Sequence, residues 1–281
     1  MKIVKSLIAV LMILGTIAKP VIVNANDVEF IEGEKRVSEF SSNEYIELKK
    51  QYEFSKNHRS LKENDIKELK KVIDKYPEYI YSLQSRNDET LKHLNYTDEQ
   101  IAAIRQYDGS EEMTKAASAT VSGTLTHVSR TYNSSTNKTT VKIKAEVQWN
   151  GTPVVKGTDS LGIALVGSNA NFIKSSASCS VKYHDGSIVN STYYQDTLGK
   201  GIVYRFGITR DSLYVFTKAT LTYTAVAGAN VTVYGYAAAY AHYTVGITNS
   251  FGLSISSSGI GITFTVANQF VKMWEQVKSK T

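Results

Sequence analysis

The sequence predicts an α+β chain divided by region: short N-terminal helices first, then an antiparallel all-β sandwich or barrel-like domain. Three observations carry this. Apolar residues recur at helical spacing through residues 41–107. From Ser118 onward the period changes to two. Turn-forming Gly, Asn, Asp and Ser then interrupt the second part often enough for eight to ten strands.

The first residues carry a different signal. Lys2 and Lys5 precede an apolar run from Leu7 to Ala18, and Val23-Asn24-Ala25 offers small residues before a cut. This is the layout of a secretory signal peptide over residues 1–25, cleaved after Ala25. The run is shorter than the roughly 20 residues a membrane-spanning helix needs. The expected protein is therefore secreted and extracellular. Cys179 is the only cysteine, so no intramolecular disulfide can form and a packed core must hold the fold. Lysine-rich, disulfide-free composition fits a bacterial secreted protein.

The helical, acidic region is expected over 26–107. Asn43 or Ser42 can cap a helix carrying Tyr45, Leu48 and Tyr52 on one stripe. Ile66, Leu69, Val72, Ile73 and Tyr76 define a second helix, which Pro77 should break or kink. Thr97 and Gln100 have the spacing of a capping box ahead of Ile101, Ile104 and Tyr107. The stripes are narrow, which suits a small bundle, a pro-region or an intramolecular partner. Residues 108–118, DGSEEMTKAAS, read as an exposed linker open to proteolysis.

The β-domain is expected over 119–281. VKIKAEVQW (141–149) alternates Val141, Ile143, Ala145, Val147 and Trp149 with Lys142, Lys144, Glu146 and Gln148, one core face and one wet face. A hairpin should turn at Asp185-Gly186, and QFVKMWEQVK near the end fits either a last strand or a terminal helix. Charge divides along the same line. Residues 26–117 hold 15 basic and 20 acidic side chains, whereas 118–281 hold 14 basic and six acidic. The basic half suits an anionic envelope polymer or membrane surface.

Catalytic constellations are scarce, so no enzyme, catalytic residue or cofactor is expected. Cys179 and His184 differ in strand parity and point to opposite faces, with Cys179 sharing the core face of Ala177 and Val181. The five histidines are dispersed, and no motif suggests a metal site. The acids of the β-region, Asp159 among them, fall mostly where turns are expected.

Two features remain as candidate sites. In VTVYGYAAAYAHYTVGIT, Tyr234, Tyr236, Tyr240 and His242 share one face, opposite a face of Val, Gly and Ala. Exposed, such a tyrosine ladder could stack on a ligand. It carries no interleaved Arg or Lys, and no nucleic acid is expected as partner. The second feature is a run of 53 residues, Ala219 to Val271, without a charged side chain. Within it Phe251, Leu253 and Ile255 share one strand face, and Ile260, Ile262, Phe264 and Val266 share another, with Ser257-Ser258-Gly259 between them. That describes a hairpin apolar on one side and hydroxyl-lined on the other, packed on a second sheet or facing lipid.

The leading expectation is thus a secreted non-catalytic protein whose β-domain binds a cell-envelope or surface component. Its alternative is a membrane-active pore-forming or antibacterial protein, a toxin or bacteriocin, held inactive by the N-terminal helices. Self-association through β-strands would follow from any open sheet edge.

Overall fold

The structure, a computed structural model, describes residues 35–168, 171–210, 214–246, 250–258 and 261–280. The expected signal peptide and Ile260 lie outside the described residues. The chain enters as strand β1 (Lys35–Ser41) and then forms five helices: α1 (Glu44–His58), α2 (Glu63–Gln84), α3 (Asp88–His93), α4 (Asp98–Arg105) and α5 (Glu111–Ala117). Their starts are written in the sequence. Asn43 Oδ1 accepts the Ile46 N–H, and Thr97 and Gln100 form the reciprocal capping box, at 3.2 Å and 2.9 Å. Leu69, Tyr76, Ile80 and Leu83 form the buried stripe of α2.

Of the break or kink expected at Pro77, the break does not occur, since the residue lies inside a helix that continues to Gln84. The expected linker at 108–118 is largely helix α5, capped by Ser110, with Thr114 and Ala117 buried. Its small and polar residues are those of a helix packed tightly on a neighbour, a use that composition does not distinguish from a loop. No helix among the described residues is long and apolar enough to cross a membrane.

Thirteen further strands follow: β2 (Thr120–Asn133), β3 (Lys138–Asn150), β4 (Thr158–Gly167), β5 (Ile173–Tyr183), β6 (Ile188–Ser191), β7 (Tyr194–Thr197), β8 (Gly201–Gly207), β9 (Thr209–Arg210), β10 (Tyr214–Ala227), β11 (Val233–Tyr243), β12 (Leu253–Ser258), β13 (Gly261–Val266) and β14 (Phe270–Lys280). The ending QFVKMWEQVK is therefore strand. Two antiparallel sheets stack as a sandwich. The first has the order β1-β14-β11-β4-β8-β7, the second β2-β3-β10-β5-β6, and β12-β13 form a separate two-stranded sheet. The turn at Asp185-Gly186 forms as expected, with Gly186 at φ +81° and Asp185 Oδ1 accepting the Ser187 N–H.

Between the sheets lie Val141, Ile143, Ala145, Val147 and Trp149 of β3, in the parity the sequence sets, and facing them Leu161, Ile163, Tyr240 and Trp274. Cys179 is buried in this layer beside Val181, and burial pushes its thiol up to about 12, an inert core residue.

The helices are an insertion in the sandwich. β1 pairs with β14 along its whole length. The chain then leaves at Ser42–Glu44 and returns at Ala119–Val121, where the two ends are joined by Glu44 N–H to Ala119 O (3.0 Å) and Val121 N–H to Ser42 O (3.2 Å). The strand β1 was not foreseen, because KRVSEFS carries too few apolar residues to show a core face.

Close approach of the sheets depends on Gly123, where a Cβ would lie 2.5 Å from the indole of Trp274. Gly123→Ala should therefore lower stability by about 1–3 kcal/mol through overpacking, and Thr124→Ala, at an exposed position beside it, by no more than about 0.5 kcal/mol. Urea midpoints of the two variants check this.

Candidate functional site

Where the helical insertion meets the end of the sandwich, three ionisable side chains are wholly buried in a row: Glu44 at the start of α1, His242 on β11 and Asp159 on β4. His242 Nδ1 lies 3.1 Å from both Asp159 oxygens, and its Nε2 lies 3.4 Å from Glu44 Oε1, an ion-pair contact rather than a well-aligned hydrogen bond. Burial alone would lower the imidazole pKa. The adjacent Asp159 carboxylate, then Glu44, more than reverse this and raise it to about 9, so the ring is a buried imidazolium at neutral pH.

Both acids are also held by donors from their surroundings. Glu44 accepts the backbone N–H of Val154 (2.8 Å) and of Val155 (2.9 Å) and the hydroxyl of Tyr76. Asp159 accepts the Tyr243 N–H (2.9 Å) and the Tyr240 hydroxyl, whose oxygen in turn receives Trp149 Nε1–H at 3.0 Å. Burial and then Glu44 hold the Tyr76 phenol well above its ordinary pKa, as burial and then Asp159 do for Tyr240, so both remain donors. The acids and phenols of this network are hydrogen-bonded while His242 Nε2 is held by the ion-pair contact alone, and breaking one member is costly. It holds no exposed nucleophile, and among the described residues no group of three or more His, Cys, Asp or Glu could hold a metal ion. Its chemistry is that of a strut joining the helices to the sandwich.

The sequence-derived candidates are placed differently from expectation. Tyr236, Tyr240 and His242 are buried and Tyr234 is half-buried, so the tyrosine ladder faces the interior and offers no stacking surface. The parity was right and the solvent assignment wrong. Tyrosine is tolerated inside because its hydroxyl finds a partner, as Tyr240 does. The opposite face, Ala237, Ala239 and Ala241, is also covered, by the β12-β13 hairpin. Leu253, Ile255 and Phe264 are buried against those alanines together with Ala164, Val203 and Phe270, while Phe251, Ile262 and Val266 are half-buried at the margin. The candidate membrane-facing residues thus rest on the outer face of the first sheet. Asp159 and Glu44 were not singled out. Asp159 is one of a group of acids that fall mostly where turns are expected, and Glu44 is one of many acids in an acidic region.

The outer face of the second sheet is one of the exposed surfaces of the molecule. Its central strands present Gln148, Glu146, Lys144 and Lys142 on β3 beside Lys218, Thr220, Thr222 and Thr224 on β10 and Lys182, Ser180, Ser178 and Ser176 on β5. Lys218 and Lys182 are direct cross-strand neighbours, an arrangement of like charges that costs stability. Glu146, the one carboxylate among these positions, is shared by Lys218 (2.5 Å) and Lys144 (2.9 Å). The hydrogen bond from Lys218, followed by that from Lys144 against the opposing effect of burial, holds it below the usual carboxylate range.

Comparison with known proteins adds little to this geometry. No family profile and no curated protein sequence matches the chain. Among solved structures, it is similar to one described as "AvmM Catalyzes Macrocyclization in Alchivemycin A Biosynthesis", at 8% identity and a TM-score of 0.25, over 55% of this chain and 87% of that one.

The strut makes a pH prediction. The imidazole pKa is raised from its ordinary value near 6.5 to about 9, so its stabilisation is complete below pH 6.5 and is lost as pH rises through 9. The loss should be on the order of 3 kcal/mol, read as a falling urea midpoint between pH 6.5 and 9.5. His242→Gln should remove that slope. Glu44→Ala should cost about 1–3 kcal/mol at neutral pH by leaving the buried donors of Val154, Val155 and Tyr76 without an acceptor, measured by equilibrium unfolding.

Proposed function

We propose that the protein is secreted and acts without catalysis, its β-sandwich binding an anionic polymer of a cell envelope through the outer face of the second sheet. The observation that supports this is the cross-strand array of Lys142, Lys144, Lys182 and Lys218 among Ser and Thr side chains, with Glu146 alone opposing it. A flat sheet repeats its side chains about every 6.8 Å along a strand and every 4.8 Å across strands. Such a lattice of cations and hydroxyl donors suits a repeating polyanion, whose negative groups pair with lysine while its remaining oxygens accept from hydroxyls. The two facing lysines, costly in isolation, become favourable once an anion lies between them.

The alternative reading, a membrane-active protein restrained by its helices, divides in two. Restraint that ends on cleavage has little support, because β1 belongs to the first sheet and Glu44 neutralises a histidine inside the sandwich. Membrane activity itself draws on a separate feature, the β12-β13 hairpin.

The test is sedimentation of the full chain with purified envelope fractions. Binding should fall steadily as salt rises through the range where the Debye length shrinks from about 10 Å to 3 Å. Lys142→Glu combined with Lys182→Glu should weaken binding at low salt by tenfold or more (roughly 1.4 kcal/mol), leaving the unfolding midpoint nearly unchanged. Undiminished binding by the charge-reversed protein would remove the role given to this face.

A further inference from the structure

The β12-β13 hairpin differs from every other strand pair in how it is held. Its strands bond to each other from Leu253↔Val266 to Ser258↔Gly261. Among the described residues, no hydrogen bond joins either strand to the first sheet on which the pair lies. The attachments are at its base: Ser160 Oγ donates to Phe251 O (2.6 Å), Asn268 Nδ2 to Ser60 O (2.8 Å) and Gln51 Nε2 to Asn268 O (2.6 Å), while Ala267 N–H to Gly252 O (2.9 Å) ties the two legs to each other. Beyond the base, the contacts among the described residues are apolar, and the surface beneath is small and smooth: Ala164, Ala237, Ala239 and Ala241, with Val203. Gly162 completes this floor, where a Cβ would stand 3.0 Å from the Phe264 ring.

The hairpin itself has the composition of an interfacial element. Its covered face carries Leu253, Ile255 and Phe264, and its outer face carries exposed Ser254, Ser256, Thr263 and Thr265. No charged side chain occurs on it; the nearest along the chain are Lys218 before it and Lys272 after it. Leaving the protein for a bilayer surface would therefore desolvate no ion, and the apolar face would exchange alanine for acyl chain. At about 3.3 Å per residue, six-residue strands reach roughly 20 Å, less than the 9–11 residues that a tilted spanning strand requires. The geometry suits lying within the interface rather than crossing it.

We propose that the β12-β13 hairpin is a hinged flap that swings off the alanine floor of the first sheet and docks, apolar face down, on a lipid bilayer. The flap pivots on its base, where Phe251 stacks on Tyr193 with ring centroids 4.9 Å apart. This inference is independent of the lysine face proposed to bind envelope polymer.

The experiment uses the full chain in a Cys179→Ala background with an environment-sensitive dye at Ile262→Cys, on the margin of the apolar face, or at Thr263→Cys on the wet face. Vesicles of phosphatidylcholine alone, and with phosphatidylglycerol, should blue-shift the first label and leave the second unchanged. Ala239→Val overpacks the floor without altering the flap, so it should raise vesicle association severalfold. Ile255→Ser, or the milder Val266→Ser at the half-buried edge, should reduce it severalfold. The Lys142→Glu/Lys182→Glu protein should keep its shift on phosphatidylcholine, which separates failure of the flap from failure of the lysine face. No shift at Ile262 on either vesicle would overturn the proposal, as would floor and flap variants that move association in the same direction.

Discussion

The arrangement of the whole chain depends on a single buried cation. His242 belongs to β11, the strand that lies between β14 and β4 in the first sheet, and its ring can be charged in the interior only because Glu44 and Asp159 flank it. Those partners come from a helix and from the neighbouring strand. The cation thereby fixes the position of α1, the register of β4 against β11 and the loop at Val154–Val155 that donates to Glu44. An apolar residue in its place would cost less to bury but would specify less. A buried ion pair selects one arrangement by penalising every arrangement that leaves it unpaired.

Much of the fold was legible, for identifiable reasons. The strand at 141–149 and the capping box at Thr97 are local patterns whose meaning does not depend on distant partners, and both form as expected. What failed was long-range. Parity put Tyr236, Tyr240 and His242 on one face, but which face is wet depends on the other sheet and on the hairpin, neither visible in an 18-residue window. Asp159 is chemically identical to an aspartate in a turn; only its placement opposite His242 makes it part of a strut. Helix α5 was masked in the same way, since the serine, threonine and alanine that suit a close helix contact also suit a loop.

β11 explains the absence of charge from Ala219 to Val271 without invoking lipid. It is buried on both faces, with Tyr236 and Tyr240 toward the second sheet and Ala237, Ala239 and Ala241 under the hairpin. A charge at any of these positions would need a partner like the one His242 has. β10, before it, points Leu221, Tyr223 and Ala225 into the sandwich, and its outer Thr220, Thr222 and Thr224 lie opposite Glu146, Lys144 and Lys142 of β3 and serines of β5. The hairpin, after it, needs one apolar face to cover the alanines.

That accounts for the covered faces of the segment, but not for its wet one. Cover on a sheet is ordinarily charged on its outer side, since lysine or glutamate there adds solubility at little cost. Here the exposed positions of the hairpin are serine and threonine, side chains that contribute to solubility without the desolvation penalty of an ion. An element required only as cover has no need to avoid charge on its solvent side. For an element proposed to lie apolar face down on a bilayer, charges bordering that face would be brought to the headgroup boundary and lose part of their hydration. The absence of charge along those borders is the feature on which the proposed flap differs from simple cover.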